Sequence, residues 1–204
     1  MLRHCEQPSL MSLITNFPDL PDTAVTIAPI QDYRAQLIGD EHLCLESMAE
    51  QRQIEFSSGR YCVHQCQNLL DLKPAAILRK SRHPIWPTKN YIGSISHCDI
   101  AAAAIISSQN RSIGLDIERT SRVGVKVLDT LFTAKEKQAF ELLANKSNEY
   151  LPGIAFSAKE SGYKAIYPIG GEFIGFQEAE IRLDLQTNTF YIDYLGEYPP
   201  NRAL

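Results

Sequence analysis

A helical stretch followed by a run of short strands occurs twice along these 204 residues, and that order limits the chain to a small set of folds. The first helical stretch covers residues 41 to about 72 and ends in the apolar cluster Cys62, Val63, Cys66, Leu69 and Leu70. Gly59 within it reads as a break or bend. A proline-punctuated connection over 74–87 holds the one tryptophan, Trp86. Strand-like runs follow at 91–98, 101–107 and 112–119, separated by Asp99 and by the turn Ser108-Gln109-Asn110, as in a small antiparallel sheet. The second helical stretch opens at Thr133, whose spacing to Glu136 is that of a capping box. After a Pro152–Gly153 break, FSAKESGYKAI at 156–166 forms a short helix ending before Pro168, and strand-like runs at 174–185 and 189–195 come last. Residues 1–40, scattered with Pro8, Pro18, Pro21 and Pro29, show no sustained period and read as an irregular or short-stranded lead-in. No residue-level repeat is present. The order still suits an α+β fold of two similar halves, 1–108 and 109–204, packed as one compact unit.

A hydrophobic content of 44% supplies a substantial core for a chain of this length. A formal net charge of -4 argues against a general nucleic-acid binder, so any basic patch is local. The five cysteines are odd in number, have no zinc-type CxxC spacing and come without a secretory signal in the first thirty residues, which points to reduced thiols in a cytoplasm. On a helix Cys62 and Cys66 share a face while His64 points elsewhere, so they read as small core residues and not as a metal site. The longest apolar run, 100–106, is too short for a membrane span.

Three stretches carry candidate chemistry. In FSAKES, Ser157 and Glu160 have capping-box spacing, and Glu160 pairs with Lys164 at i,i+4. The same residues place one carboxylate between the ammonium groups of Lys159 and Lys164. In SIGLDIER, 112–119, a strand would put Ile113, Leu115 and Ile117 on one face and Asp116 and Glu118 on the other. That is either a half-exposed strand with an acidic face, or two carboxylates converging with Glu160 on a hard cation such as magnesium. In GSISHC, Ser96 and His97 are strand neighbours and point to opposite faces, so they make no catalytic dyad. His97 is either a structural histidine or a phosphate ligand beside Arg52, Arg60, Lys159 and Lys164. Gly162 inside a helix should cost about 1 kcal/mol relative to alanine, and close packing against it would account for its presence.

The series GR at Gly59–Arg60, WP at Trp86–Pro87, GSISHC at 93–98, GLDIE at 114–118, LFT at 131–133 and FSAKES at 156–161 resembles the 4'-phosphopantetheinyl transferase superfamily, particularly its enterobactin-synthetase (siderophore/surfactin) type. The resemblance covers about 40–170 and implies a pseudo-twofold α+β fold, each half a helix packed on a small antiparallel sheet, with the active site in the cleft between halves. It implies coenzyme A as co-substrate and one Mg2+ held by Asp116, Glu118 and Glu160. Arg52, Arg60, Lys159 and Lys164 would neutralise coenzyme A phosphates, His97 would meet the 3'-phosphate, and Ser96 and His83 complete the binding set. Glu160 and Lys164 would be the catalytic pair. The implied reaction is attack by a serine of an apo acyl, aryl or peptidyl carrier protein on the phosphorus bearing pantetheine, releasing adenosine 3',5'-bisphosphate. The implied setting is a cytoplasmic monomer serving siderophore or other secondary-metabolite synthesis, with polyketide or polyunsaturated fatty acid synthesis as the alternative. Rival classes are a non-catalytic module that binds coenzyme A or the carrier and a magnesium-dependent nucleotide hydrolase. Surfactin-type relatives often carry Gly-Lys-Pro where this chain has Arg82-His83-Pro84. The basic loop Arg119, Arg122 and Lys126 is either a solvated loop or a docking surface for an acidic carrier.

Overall fold

The computed structural model describes residues 13–16, 20, 22–80, 83–88, 90–109, 112–119, 122–144, 151–170 and 174–196. In chain order its elements are β1 (Leu13–Asn16), β2 (Thr23–Pro29), α1 (Glu50–Leu69), β3 (Leu78–Lys80), β4 (His83–Ile85), β5 (Ile92–His97), β6 (Ala101–Ser107), α2 (Leu128–Leu131), α3 (Ala134–Ala144), α4 (Leu151–Gly170), β7 (Ala179–Asp184) and β8 (Thr189–Tyr194). The architecture is α+β, with helices on small antiparallel sheets.

The first sheet is antiparallel in the order β1-β2-β6-β5. All seven residues of β6 are buried. Its alanines let α1 come close enough for the Cys62 and Cys66 thiols to donate to Ala102 O and Ala104 O, each at 3.4 Å. Both cysteines are fully buried, and burial pushes their thiols up to about 12 and about 11. His64 turns away from them to Glu41 Oε1 at 3.1 Å. These are the core cysteines the spacing suggested.

The short-stranded reading of the lead-in holds over its described residues: β2 is an inner strand whose Thr23, Ala24, Val25 and Thr26 are all buried, so no in-out alternation marks it. Two expectations are corrected in this half. Gly59 does not break the helix, since α1 continues through it. A Cβ there would stand 2.9 Å from Ile95 Cγ2, so the glycine admits β5. The helical stretch begins as a 3-10 segment, Gly39–Leu45, before α1.

The second half has its own core of Phe132, Phe140, Leu151, Ala155, Ala158 and Ile181. The capping box at Thr133 is present: Thr133 N donates to Glu136 Oε2 at 2.7 Å and Glu136 N to Thr133 Oγ1 at 3.3 Å. The β7–β8 hairpin turns through Asn188, at φ 53. Pro152–Gly153 is not a break. Proline is tolerated in the first turn of a helix, where its missing N–H has no partner to lose, and α4 runs from Leu151 to Gly170 with Pro168 inside it. Ser157 and Glu160 therefore lie within a helix and form no capping box, which leaves the Glu160 carboxylate free of that duty.

Residues 112–119 form no strand. They run along α4 instead, with Ser112 Oγ donating to Ala165 O. A Cβ on Gly114 would fall 1.8 Å from Ser161 O and 2.7 Å from Ala165 N. The backbone of this segment lies directly on the helix, and all of 112–118 is half-buried, so the clean two-faced alternation is lost. Gly162 has the close packing its cost called for, because a Cβ there would meet Ile192 Cδ1 at 2.0 Å. No helix among the described residues is long and apolar enough to cross a membrane.

Candidate active site

A cavity of about 720 Å³ opens between α1, β4 and β5 on one side and the 112–118 segment and α4 on the other. Phe156, Glu160 and Lys164, four residues apart, present one face of α4 to it. From the other side α1 supplies Arg52, Glu55 and Arg60.

At its centre, Lys164 Nζ lies 2.6 Å from Asp116 Oδ1 and 2.9 Å from Ser96 Oγ, and the Ser96 hydroxyl donates to Asp116 Oδ1 at 2.8 Å. Glu118 Oε1 accepts from Arg122 NH1 at 2.6 Å. Each carboxylate thus has one oxygen paired with a cation. Their other oxygens, Asp116 Oδ2 and Glu118 Oε2, are buried with no hydrogen-bond partner among the described residues. Glu160 completes the acidic group. Burial raises its pKa, and Asp116 and Glu118 add to the rise while Lys164 and Arg122 oppose it.

Two orphaned, buried carboxylate oxygens beside a third carboxylate are a donor set suited to a hard divalent cation, since an unpaired buried charge is costly. Among the described residues no three His, Cys, Asp or Glu side chains already converge tightly enough to hold an ion. Magnesium keeps several waters and needs few protein ligands, which suits so open an arrangement.

The opposite wall is cationic. Arg60 is 5% exposed and donates from Nε to Ile77 O at 2.6 Å, with its guanidinium 4.1 Å over the Phe56 ring. Burial lowers its pKa to about 10, which leaves it charged at neutral pH. Arg52 NH1 contacts His97 Nε2 and Glu55 Oε2, the latter at 3.1 Å. Burial first, then the Arg52 charge, lowers the His97 pKa, so the ring is neutral at pH 7. His97 and Ser96 both border the cavity yet have different partners, and no dyad forms between them. His83 lines the rim and stacks on Tyr167 with ring centroids 4.2 Å apart, tying β4 to α4. Arg82 lies outside the described residues.

Lys159 is not brought to this cavity. It is wholly buried on an adjacent side of α4, bonded to Glu136 Oε2 at 2.8 Å and to three backbone carbonyls. An ammonium with every proton committed cannot also bind a coenzyme A phosphate, so the structure speaks against that role. The basic loop is largely paired as well: Arg119 meets Asp99 at 2.8 Å and Arg122 meets Glu118, while Lys126 is exposed.

The family model for the 4'-phosphopantetheinyl transferase N-terminal domain matches residues 40–107, and that for the 4'-phosphopantetheinyl transferase superfamily matches 112–203. The chain is 30% identical over 178 residues to 4'-phosphopantetheinyl transferase Svp of Streptomyces mobaraensis, covering 85% of this chain and 68% of that protein. The chain belongs to the 4'-phosphopantetheinyl transferase superfamily. It is also 34% identical over 150 residues to 4'-phosphopantetheinyl transferase Npt of Nocardia iowensis, across 72% of this chain and 66% of the relative. Enterobactin synthase component D of Escherichia coli (strain K12) is 32% identical over 130 residues, 59% of this chain and 58% of that protein. The chain spans about two thirds of the length of the first two of these relatives.

Two charged cavity residues escaped the sequence reading of this superfamily member. Arg79 lines the wall, bonded to Ser47 Oγ at 3.1 Å, and came from a proline-punctuated stretch with no periodicity to orient it. Glu55 sits three residues from Arg52 on α1, and that i,i+3 spacing was the signal available.

Proposed function

We propose that this protein transfers the 4'-phosphopantetheine group of coenzyme A to a serine of an apo carrier protein. The observation that carries the reading is the pairing, within one cavity, of a cationic wall with Asp116 and Glu118, each left with an orphaned buried oxygen. A simple anion-binding module has no use for carboxylates that would repel its ligand.

In this reading Asp116, Glu118 and Glu160 would hold Mg2+, which would offset the charge of the pyrophosphate. Arg52, Arg60 and Arg79 face the phosphates, and His97 meets the 3'-phosphate. Lys164 follows the phosphoryl centre, where charge grows as the bond to the leaving group lengthens. The serine Oγ forms a bond to the phosphorus bearing pantetheine. The bond from that phosphorus to the bridging oxygen breaks, and adenosine 3',5'-bisphosphate leaves with the electron pair. The serine proton passes to Glu160, directly or through a water.

The same reading makes 1–108 and 109–204 two related halves with the cavity as their cleft, supported by the separate core of each. It places the enzyme in the cytoplasm as a monomer. The likeness to enterobactin synthase component D supports siderophore peptide carriers as the first partners to test. Release of adenosine 3',5'-bisphosphate from coenzyme A, with and without an apo carrier, tests the reading. Carrier-dependent release supports transfer, carrier-independent release makes the protein a hydrolase, and no release leaves a binding module.

A further inference from the structure

Nothing among the described residues hydrogen-bonds the Glu160 carboxylate, whereas Lys164, one turn on, is held by both Ser96 and Asp116. The direction in which Glu160 points must therefore come from the helix that carries it. The adjacent residue, Lys159, is the most tightly held cation among the described residues of the second half. Lys159 Nζ has Glu136 Oε2 at 2.8 Å, Leu131 O at 3.1 Å, Phe176 O at 2.7 Å and Ala179 O at 2.9 Å, four acceptors for three protons. Glu136 is equally committed: its Oε2 also takes Thr133 N at 2.7 Å and its Oε1 takes Ile181 N at 2.7 Å. The side chains of Lys159 and Glu136 are 0% and 1% exposed.

One buried ion pair thus joins the end of α2, the start of α3, the approach to β7, β7 itself and α4. A buried pair of this kind gains little net stability over an apolar one of the same shape, so its worth lies in the arrangement it imposes. Successive residues of an α-helix are separated by about 100° around the axis. Fixing the direction of Lys159 therefore fixes that of Glu160.

We infer that Lys159 and Glu136 are positioning residues, a buried clamp that sets the roll of α4 and so aims Glu160 into the cavity. The inference rests on the transferase reading, in which Glu160 is a ligand and base.

The test is a mutant cycle on the full chain. Lys159→Met and Glu136→Gln are made alone and together with Glu160→Gln. Transfer is measured per folded molecule at low temperature, and Mn2+ affinity is measured by electron paramagnetic resonance with coenzyme A present. Lys159→Met should lower kcat on the order of tenfold to a hundredfold, as a small misplacement of a reacting group does. It should weaken Mn2+ binding, leave the KM for coenzyme A near wild type, and add little in the Glu160→Gln background, since residues acting through one another are not additive. Glu136→Gln, which keeps one acceptor oxygen and so can serve only one of the Thr133 and Ile181 amides, should give the same pattern, and decides the matter if Lys159→Met does not fold. Wild-type kcat and Mn2+ affinity in the folded clamp variants, beside a crippled Glu160→Gln, would overturn the clamp and leave the transferase reading intact. A full multiplicative loss on top of Glu160→Gln would overturn it too. Unimpaired transfer by Glu160→Gln itself would remove the assigned role of Glu160, and the clamp with it.

Discussion

The Ser96 hydroxyl on β5 accepts a hydrogen bond from Lys164 Nζ on α4 at 2.9 Å, and so ties the first sheet to the helix carrying the catalytic pair proposed above. It also donates to Asp116 Oδ1 at 2.8 Å. Ser96→Ala removes both bonds but leaves Lys164 and Asp116 in contact at 2.6 Å. The expected loss of stability is about 1 kcal/mol, read by urea unfolding. The KM for coenzyme A should rise a few-fold as Lys164 gains freedom.

Asp116→Asn keeps the shape of the side chain and its bond from Ser96 but removes the charge beside Lys164. Transfer should fall on the order of a hundredfold or more. Calorimetric titration should find divalent-cation affinity lowered, and circular dichroism should find the fold retained. Near-normal turnover by the folded variant would remove Asp116 from the metal set.

Gly114 and Gly162 make a matched pair of opposite outcomes. A Cβ at 114 would sit 1.8 Å from Ser161 O, helix backbone that has nowhere to go. A Cβ at 162 meets Ile192 Cδ1 at 2.0 Å, the tip of a side chain that can swing aside. Gly114→Ala should cost about 3 kcal/mol and lift the carboxylate segment off α4. Gly162→Ala should come within about 1 kcal/mol of wild type, because gained helix propensity offsets the repacking. Thermal unfolding of the two variants side by side checks the contrast.

How much of this was legible in the sequence differs residue by residue. The α3 capping box and the core cysteines depend on local pattern, and they stand as read; the helix-then-strand order holds for α1 with β5 and β6 and for α4 with β7 and β8, but β1 and β2 precede α1 and 112–119 forms no strand. Thr23 to Thr26 were invisible as an inner strand because burial on both faces leaves no alternation to detect. Pro152–Gly153 misled because a proline in the first turn of a helix gives up no hydrogen bond and so does not interrupt it. GLDIE and FSAKES named Asp116, Glu118, Glu160 and Lys164, which the fold does bring to one cavity. Lys159 is in the same motif and ended elsewhere, since which of two adjacent helix positions faces a cleft depends on packing partners such as Glu136, distant in sequence.

Glu41 gives the protein an acid-sensitive joint away from the cavity. It is fully buried and accepts from His64 Nε2 at 3.1 Å, Ile77 N at 2.8 Å and Ile38 N at 3.0 Å. Burial alone would raise its pKa, but the His64 and Ile77 bonds, the His64 charge and the Ile38 bond together hold it below 4.5. A carboxyl depressed on folding stabilises the native state above its unfolded pKa, and that stability is lost as pH falls through the folded value. Glu41→Gln should therefore cost about 3 kcal/mol at pH 7. The gap to wild type should close as pH drops below 4.5 through the depressed value. A gap that stays constant on acidification would contradict the assignment of a charged Glu41.

The intact mass of an apo peptidyl carrier, incubated with this protein, coenzyme A and magnesium, tests the central claim most directly. The account predicts a gain of one phosphopantetheine on the carrier's serine, absent when that serine is replaced by alanine and absent with Glu160→Gln. An unmodified carrier across a panel of peptidyl, aryl and acyl types, from a protein shown to bind coenzyme A and magnesium, would contradict it.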